Sequence, residues 1–174
     1  MNERLDTQKA VAWSLLAALA LSLHVLLAAP LAGPPLYGVL AVIGFGFLLP
    51  PIATLFLRFR TINPHAAILS TMAGTSLAIV GMAALVFDDL EPGALFFLGM
   101  WWWVVGKFGL ESALLPRPLA YVTMSLAVLA FAAMVGDVLG ARAVWIAARL
   151  ALAAWLLAFA AILYRSVARS ADAG

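Results

Sequence analysis

Apolar residues fill six long runs of the chain, and short polar or proline-containing connections separate them. A helix needs about 20 apolar residues to cross the hydrocarbon core of a bilayer. No run alternates between apolar and polar residues, and a bilayer offers no hydrogen-bond partner to open strands, so each run is predicted to be a helix. The sequence therefore predicts an all-α, six-helix transmembrane bundle that forms one domain over residues 1–174. The six predicted spans are 11–29, 36–57, 66–87, 94–115, 119–138 and 144–163.

Proline and capping residues mark several of the predicted span boundaries. Asn63 precedes Pro64, which predicts an N-cap followed by proline in the first turn of the third span. Glu91 and Pro92 precede the fourth span in the same way, and the carboxylate also suits the positive end of the helix dipole. Pro116 and Pro118 are expected to end the fourth span and begin the fifth.

The composition excludes most soluble classes of protein. Apolar residues make up 66% of the chain and charged residues 10%, whereas a soluble domain carries about a quarter charged residues. With a net charge of +2, no cysteine and no nucleotide-binding or hydrolase motif, nothing indicates a nucleic-acid partner, a cofactor, a metal or an enzyme. The two histidines, His24 and His65, fall on opposite sides of the predicted membrane and could not share a haem.

Lysine and arginine are distributed unevenly over the two sides of the predicted bundle. Placing the N-terminus inside puts eight of these residues on one side and two on the other. Because cytoplasmic connections are enriched in Lys and Arg, both termini are predicted to be cytoplasmic. The inner set is Arg4, Lys9, Arg58, Arg60, Lys107, Arg117, Arg165 and Arg169, and the outer set is Arg142 and Arg149.

A lysine lies inside the fourth predicted span, roughly 12 Å from its cytoplasmic end. Lys107 shares one helix face with Trp103 and Glu111, which would allow a cation–π contact and an ion pair. Pro50 and Pro51 in the second span free two backbone carbonyls at nearly the same depth. We therefore expect the second and fourth spans to pack with Lys107 facing this proline kink. The alternative is that Lys107 extends to the membrane surface.

Four tryptophans lie near the middle of the predicted membrane rather than at its surface. Trp101, Trp102 and Trp103 follow one another in the fourth span, and Trp155 lies at a comparable depth in the sixth. Together they could form a stacking wall for a quinone, a carotenoid or a lipid. The alternative is that they fill bundle space, with at least one facing lipid because three consecutive residues cover most of a helical turn.

Two further polar residues fall in the outer half of the predicted bundle. His24 in the first span is expected to be a hydrogen-bonded interior group. Arg149 in the sixth span either reaches the membrane surface or pairs with an outer acid. The expected acids are Asp88, Asp89 and Asp137.

The stretch from residue 101 to 130 resembles a feature of small bacterial six-helix membrane proteins of unknown function. In those proteins a glycine-containing span ends in a Leu-Pro-Arg turn and passes directly into another apolar helix, and here the turn runs from Leu114 to Arg117. The resemblance implies an inner-membrane location and no defined activity.

Three functions are compatible with these patterns. The expected function is that of a non-catalytic accessory or scaffold subunit. Its partners would be the lipid bilayer and either another membrane protein or a second copy of this chain. The second is a small-solute transporter or the substrate-binding membrane subunit of a vitamin importer, and the third is a binder of an apolar cofactor.

Overall fold

The computed structural model describes residues 3–28, 34–84, 87–139 and 142–172, and these residues form helices and short connections. No strand occurs in the described segments, which confirms the all-α fold class. Within these described ranges, six segments are long and apolar enough to cross a membrane. The helices are α1 (Glu3–Ala28), α2 (Pro34–Gly46), α3 (Leu49–Phe59), α4 (Pro64–Ala83), α5 (Glu91–Glu111), α6 (Arg117–Val138) and α7 (Arg142–Asp172).

The helices form a closed ring in chain order. Each span packs against its neighbours in the sequence, and α1 packs against α7 to close the ring. The second span consists of α2 and α3, and both contact α1 on one side and α4 on the other. The middle of the ring is filled by large buried side chains, among them Phe45, Phe59, Trp101, Trp102 and Phe159.

The second span is interrupted where the prolines predict it. Helix α2 ends at Gly46 and α3 begins at Leu49, because Pro50 and Pro51 have no N–H with which to continue the helical bonds. The N–H of Leu48 instead donates to the carbonyl of Phe45 at 3.1 Å, one residue closer than in an α-helix.

The capped start of the third span agrees with the sequence, whereas α4 ends at Ala83 rather than at residue 87 and the bounds of the fourth span also differ. Asn63 caps α4, accepting a hydrogen bond from the N–H of Ala66 at 3.1 Å. Helix α5 runs from Glu91 to Glu111 rather than over 94–115, because the chain reverses at Ala113, whose φ of 55° lies in the left-handed region.

Close approaches between spans occur at glycines. A Cβ on Gly74 of α4 would lie 2.8 Å from Ile52, and a Cβ on Gly99 of α5 would lie 2.7 Å from the ring of Phe131 on α6. Small residues allow helices in a bilayer to approach closely, so that dispersion contacts hold the bundle together.

Candidate functional site

Arg149 lies inside the bundle, at the end where α5 begins, α6 ends and α7 begins. Its side chain is 4% exposed. The guanidinium carbon lies 4.6 Å from the centre of the Phe45 ring and 5.4 Å from that of the Trp145 ring, so aromatic faces of α2 and α7 flank the charge. A charge held in an apolar interior requires a partner.

That partner is Glu91, the first residue of α5. Its Oε1 accepts a hydrogen bond from Arg149 Nη2 in a direct ion pair, and a second one from the indole N–H of Trp145 at 2.5 Å. Glu91 lies on the α5 face that also carries the buried Leu95 and Leu98, four and seven residues later, so its side chain enters the ring interior. These bonds join the fourth span to the sixth.

The expectation that Arg149 pairs with Asp88, Asp89 or Asp137 is wrong for Asp89 and Asp137, because among the described side chains its ion pair is with Glu91. The side chain of Asp88 lies outside the described part of the chain. Asp89 is exposed in the 3-10 turn Asp88–Leu90, which places it away from the buried guanidinium.

Two more polar residues complete this end of the bundle. The ring of His24, which is buried on α1 as expected, lies 6.3 Å from the ring of Trp145. Asp137 is half-buried near the end of α6, the helix that packs against both α5, which begins at Glu91, and α7, which carries Arg149. We use the name Arg149 cluster for the set contributed by five of the six spans, which is His24, Phe45, Glu91, Asp137, Trp145 and Arg149.

Hydrogen bonding within the Arg149 cluster is incomplete. The Nε of Arg149 is buried and has no partner. Arg149 and Trp145 both donate to Oε1 of Glu91, so Oε2 of Glu91 accepts a hydrogen bond from neither of them. Asp137 adds a second, half-buried carboxylate at this end of the bundle. The cluster thus holds one buried donor without a partner beside partly exposed carboxylates.

Phe45 reaches Arg149 because α4 carries a glycine opposite it. A Cβ on Gly81 would lie 2.5 Å from the Phe45 ring. Any larger residue at position 81 would displace the ring from its place between α4 and the guanidinium.

Lys107 is not part of this site, and the expectation that it faces the proline kink is wrong. Its side chain is exposed on the outward face of α5, with Trp103 and Glu111 exposed on the same face. The ammonium lies 5.7 Å from the centre of the Phe108 ring. Helix α5 packs against α4 and α6, so the fourth span is not a ring neighbour of the span that holds Pro50 and Pro51.

The four tryptophans do not form one wall. Trp101 contacts Trp155 edge to face, with ring centres 5.3 Å apart, and Trp155 stacks on Phe159 at 5.2 Å. Trp102 is also buried, whereas Trp103 is 43% exposed on the outside of the bundle. Trp101, Trp155 and Phe159 thus pack on one another, and the N–H of Trp155 donates to Oγ1 of Thr123 at 2.8 Å.

Sequence reasoning missed Glu91 as an interior partner, together with Phe45 and Trp145. Two signals were present in the chain. Trp145 and Arg149 are four residues apart and so share a helix face, and Glu91 begins an apolar face with Leu95. Which other helix meets each face depends on the ring arrangement.

Comparison with known proteins gives no relative. No family model matches the chain, and no curated protein or solved structure is significantly similar to it. The resemblance of residues 101–130 to small bacterial membrane proteins stays a prediction.

Proposed function

We propose that this multi-pass membrane protein is a non-catalytic accessory or scaffold subunit of a complex in the bacterial inner membrane. The observation that supports this role is the outward face of α7. Alanine occupies every seventh position along it, and leucine lies between the alanines, all of them exposed. The residues of this α7 face are Ala147, Leu150, Ala154, Leu157 and Ala161.

The spacing of the α7 face suits a helix partner. Alternating steps of three and four residues form the seam along which two helices interlock side chains. Small residues at one of the two seam positions let a second backbone approach closely, which is the main source of helix association in lipid. The outward faces of α1 and α4 carry larger residues, such as Leu19 and Leu23 on α1 and Ile68 and Met72 on α4.

The experiment is affinity purification of the tagged chain in mild detergent, followed by native mass spectrometry. We expect a stoichiometric membrane-protein partner or a second copy with the wild-type chain. Ala154→Phe should abolish its recovery, and Ala53→Phe, which changes an exposed alanine on α3, should preserve it. Recovery of the chain alone, or equal loss in both variants, would contradict the proposal.

We further propose that both termini are cytoplasmic, so that the Arg149 cluster lies toward the periplasm. The excess of Lys and Arg on the opposite side supports this orientation. A reporter fused to the C-terminus should be active only in its cytoplasmic form, and periplasmic activity would contradict the assignment.

The packing of the core favours this role over an apolar-cofactor binder. Trp101 contacts Trp155, Trp155 stacks on Phe159, and Trp103 lies exposed on the outside of the bundle. The Arg149 cluster is the feature relevant to the alternative function of solute binding. We also propose that the chain is not an enzyme.

A further inference from the structure

The unused hydrogen-bonding groups of the Arg149 cluster are complementary in charge. Arg149 is 4% exposed and its Nε has no partner, although it belongs to the same guanidinium as the Nη2 that binds Glu91. A buried donor without an acceptor is unfavourable. Beside it lie two partly exposed carboxylates, those of Glu91 and Asp137, and the second oxygen of Glu91 accepts from neither Arg149 nor Trp145. A group that pairs with the guanidinium and with these carboxylates needs both an acceptor and a cationic donor.

We propose that the Arg149 cluster binds a small zwitterion of the α-amino-acid type. The carboxylate of this ligand pairs with Arg149, and its ammonium pairs with Glu91 and Asp137. This assignment goes beyond the subunit role and does not depend on it. Arg149 is one cation beside the carboxylates of Glu91 and Asp137, so these three side chains carry more negative than positive charge. A zwitterion brings one charge of each sign, and its ammonium places a positive charge beside the second carboxylate.

Binding would proceed by exchange of the existing ion pair, with no covalent bond made or broken. The ligand carboxylate replaces Glu91 on Arg149 and uses Nε as well as Nη2, the two-donor geometry that carboxylates prefer. Glu91 keeps its hydrogen bond from Trp145 and turns its free oxygen to the ligand ammonium. Every buried charge stays paired throughout, which keeps the exchange inexpensive in an apolar interior.

The geometry limits the size of the ligand. Glu91 and Arg149 are in direct contact, so the two charges of the ligand must be close together, as on either side of one carbon atom. The ring centres of Phe45 and Trp145 lie 4.6 and 5.4 Å from the guanidinium carbon, which favours a ligand with a small side chain or none. Entry is from the end of the bundle, where Glu91 is 17% exposed above the more deeply buried Arg149.

The test is calorimetric binding to the purified full-length chain in detergent. Glycine is the probe, and acetate, methylamine and 6-aminohexanoate supply one charge alone or two charges far apart. We expect saturable binding of glycine and none of the other three. Binding of acetate as tight as that of glycine, equal binding of 6-aminohexanoate, or no binding of glycine would overturn the proposal.

Two variants locate the site. Asp137→Asn removes a carboxylate that is outside the ion pair, and we expect it to weaken glycine binding at least tenfold. Asp89→Asn removes an exposed acid from the same end of the bundle and should leave the affinity within twofold. Equal affinities in both variants would overturn the assignment. If Asp137→Asn does not fold, the ligand series on the wild-type chain decides. Since binding is measured on the isolated chain, its failure is distinct from a failure to recover a partner.

Discussion

Replacing Glu91 with leucine leaves a buried guanidinium without its counter-ion. Glu91 supplies the carboxylate of the ion pair with Arg149 and also accepts the hydrogen bond from Trp145. Because Arg149 is almost entirely enclosed, it cannot regain water without opening the end of the bundle.

The size of the effect follows from this enclosure. Removing one partner of a buried ion pair costs about 3–5 kcal/mol. The neighbouring Asp137 can turn toward the released guanidinium and offset part of the loss. We therefore expect Glu91→Leu to lower the free energy of unfolding by about 3 kcal/mol, roughly a hundred-fold in the folding equilibrium.

The assay is reversible unfolding in mixed micelles, followed by tryptophan fluorescence. Glu111→Leu is the matched control, because it makes the same change on the same helix at an exposed position. Its effect should stay within about 0.5 kcal/mol of wild type.

A double variant separates loss of the charge pair from loss of shape. Replacing both partners of a buried ion pair with apolar residues is often neutral or stabilising. Glu91→Leu combined with Arg149→Met should therefore recover to within about 1 kcal/mol of wild type. Effects that simply add, or a Glu91→Leu variant as stable as Glu111→Leu, would refute the reasoning.

Three further substitutions test the packing around this site and the bundle core. Gly81→Ala places a Cβ 2.5 Å from the Phe45 ring and should lower stability by about 1–3 kcal/mol in the same unfolding assay, whereas an unchanged midpoint would show that the ring is not held there. Thr123→Val removes the acceptor of the buried Trp155 N–H and should cost about 1–3 kcal/mol, with a change in the tryptophan emission maximum as an independent check. Lys107→Met should keep the free energy of unfolding within about 0.5 kcal/mol of wild type because the ammonium is exposed. A larger loss would indicate that Lys107 lies in the interior.

The sequence by itself determined the number and type of the elements. Six apolar runs of bilayer length can satisfy their backbone hydrogen bonds only as helices, whatever their neighbours are. Local signals also hold without tertiary context. Asn63 caps α4 because its side chain accepts a bond from a backbone N–H three residues away, and Pro50 and Pro51 interrupt the second span because they lack N–H donors.

The tertiary structure decided which faces meet. Lys107 and Arg149 are both basic residues within predicted spans, and nothing local distinguishes them, yet one is exposed and the other buried. The difference arises because the ring closes between α1 and α7, so that the face of α7 carrying Arg149 turns inward, while the face of α5 carrying Lys107 turns outward. The pairing of Arg149 with Glu91, 58 residues earlier, depends on this closure, since a helical pattern fixes which residues share a face but not which helix lies opposite.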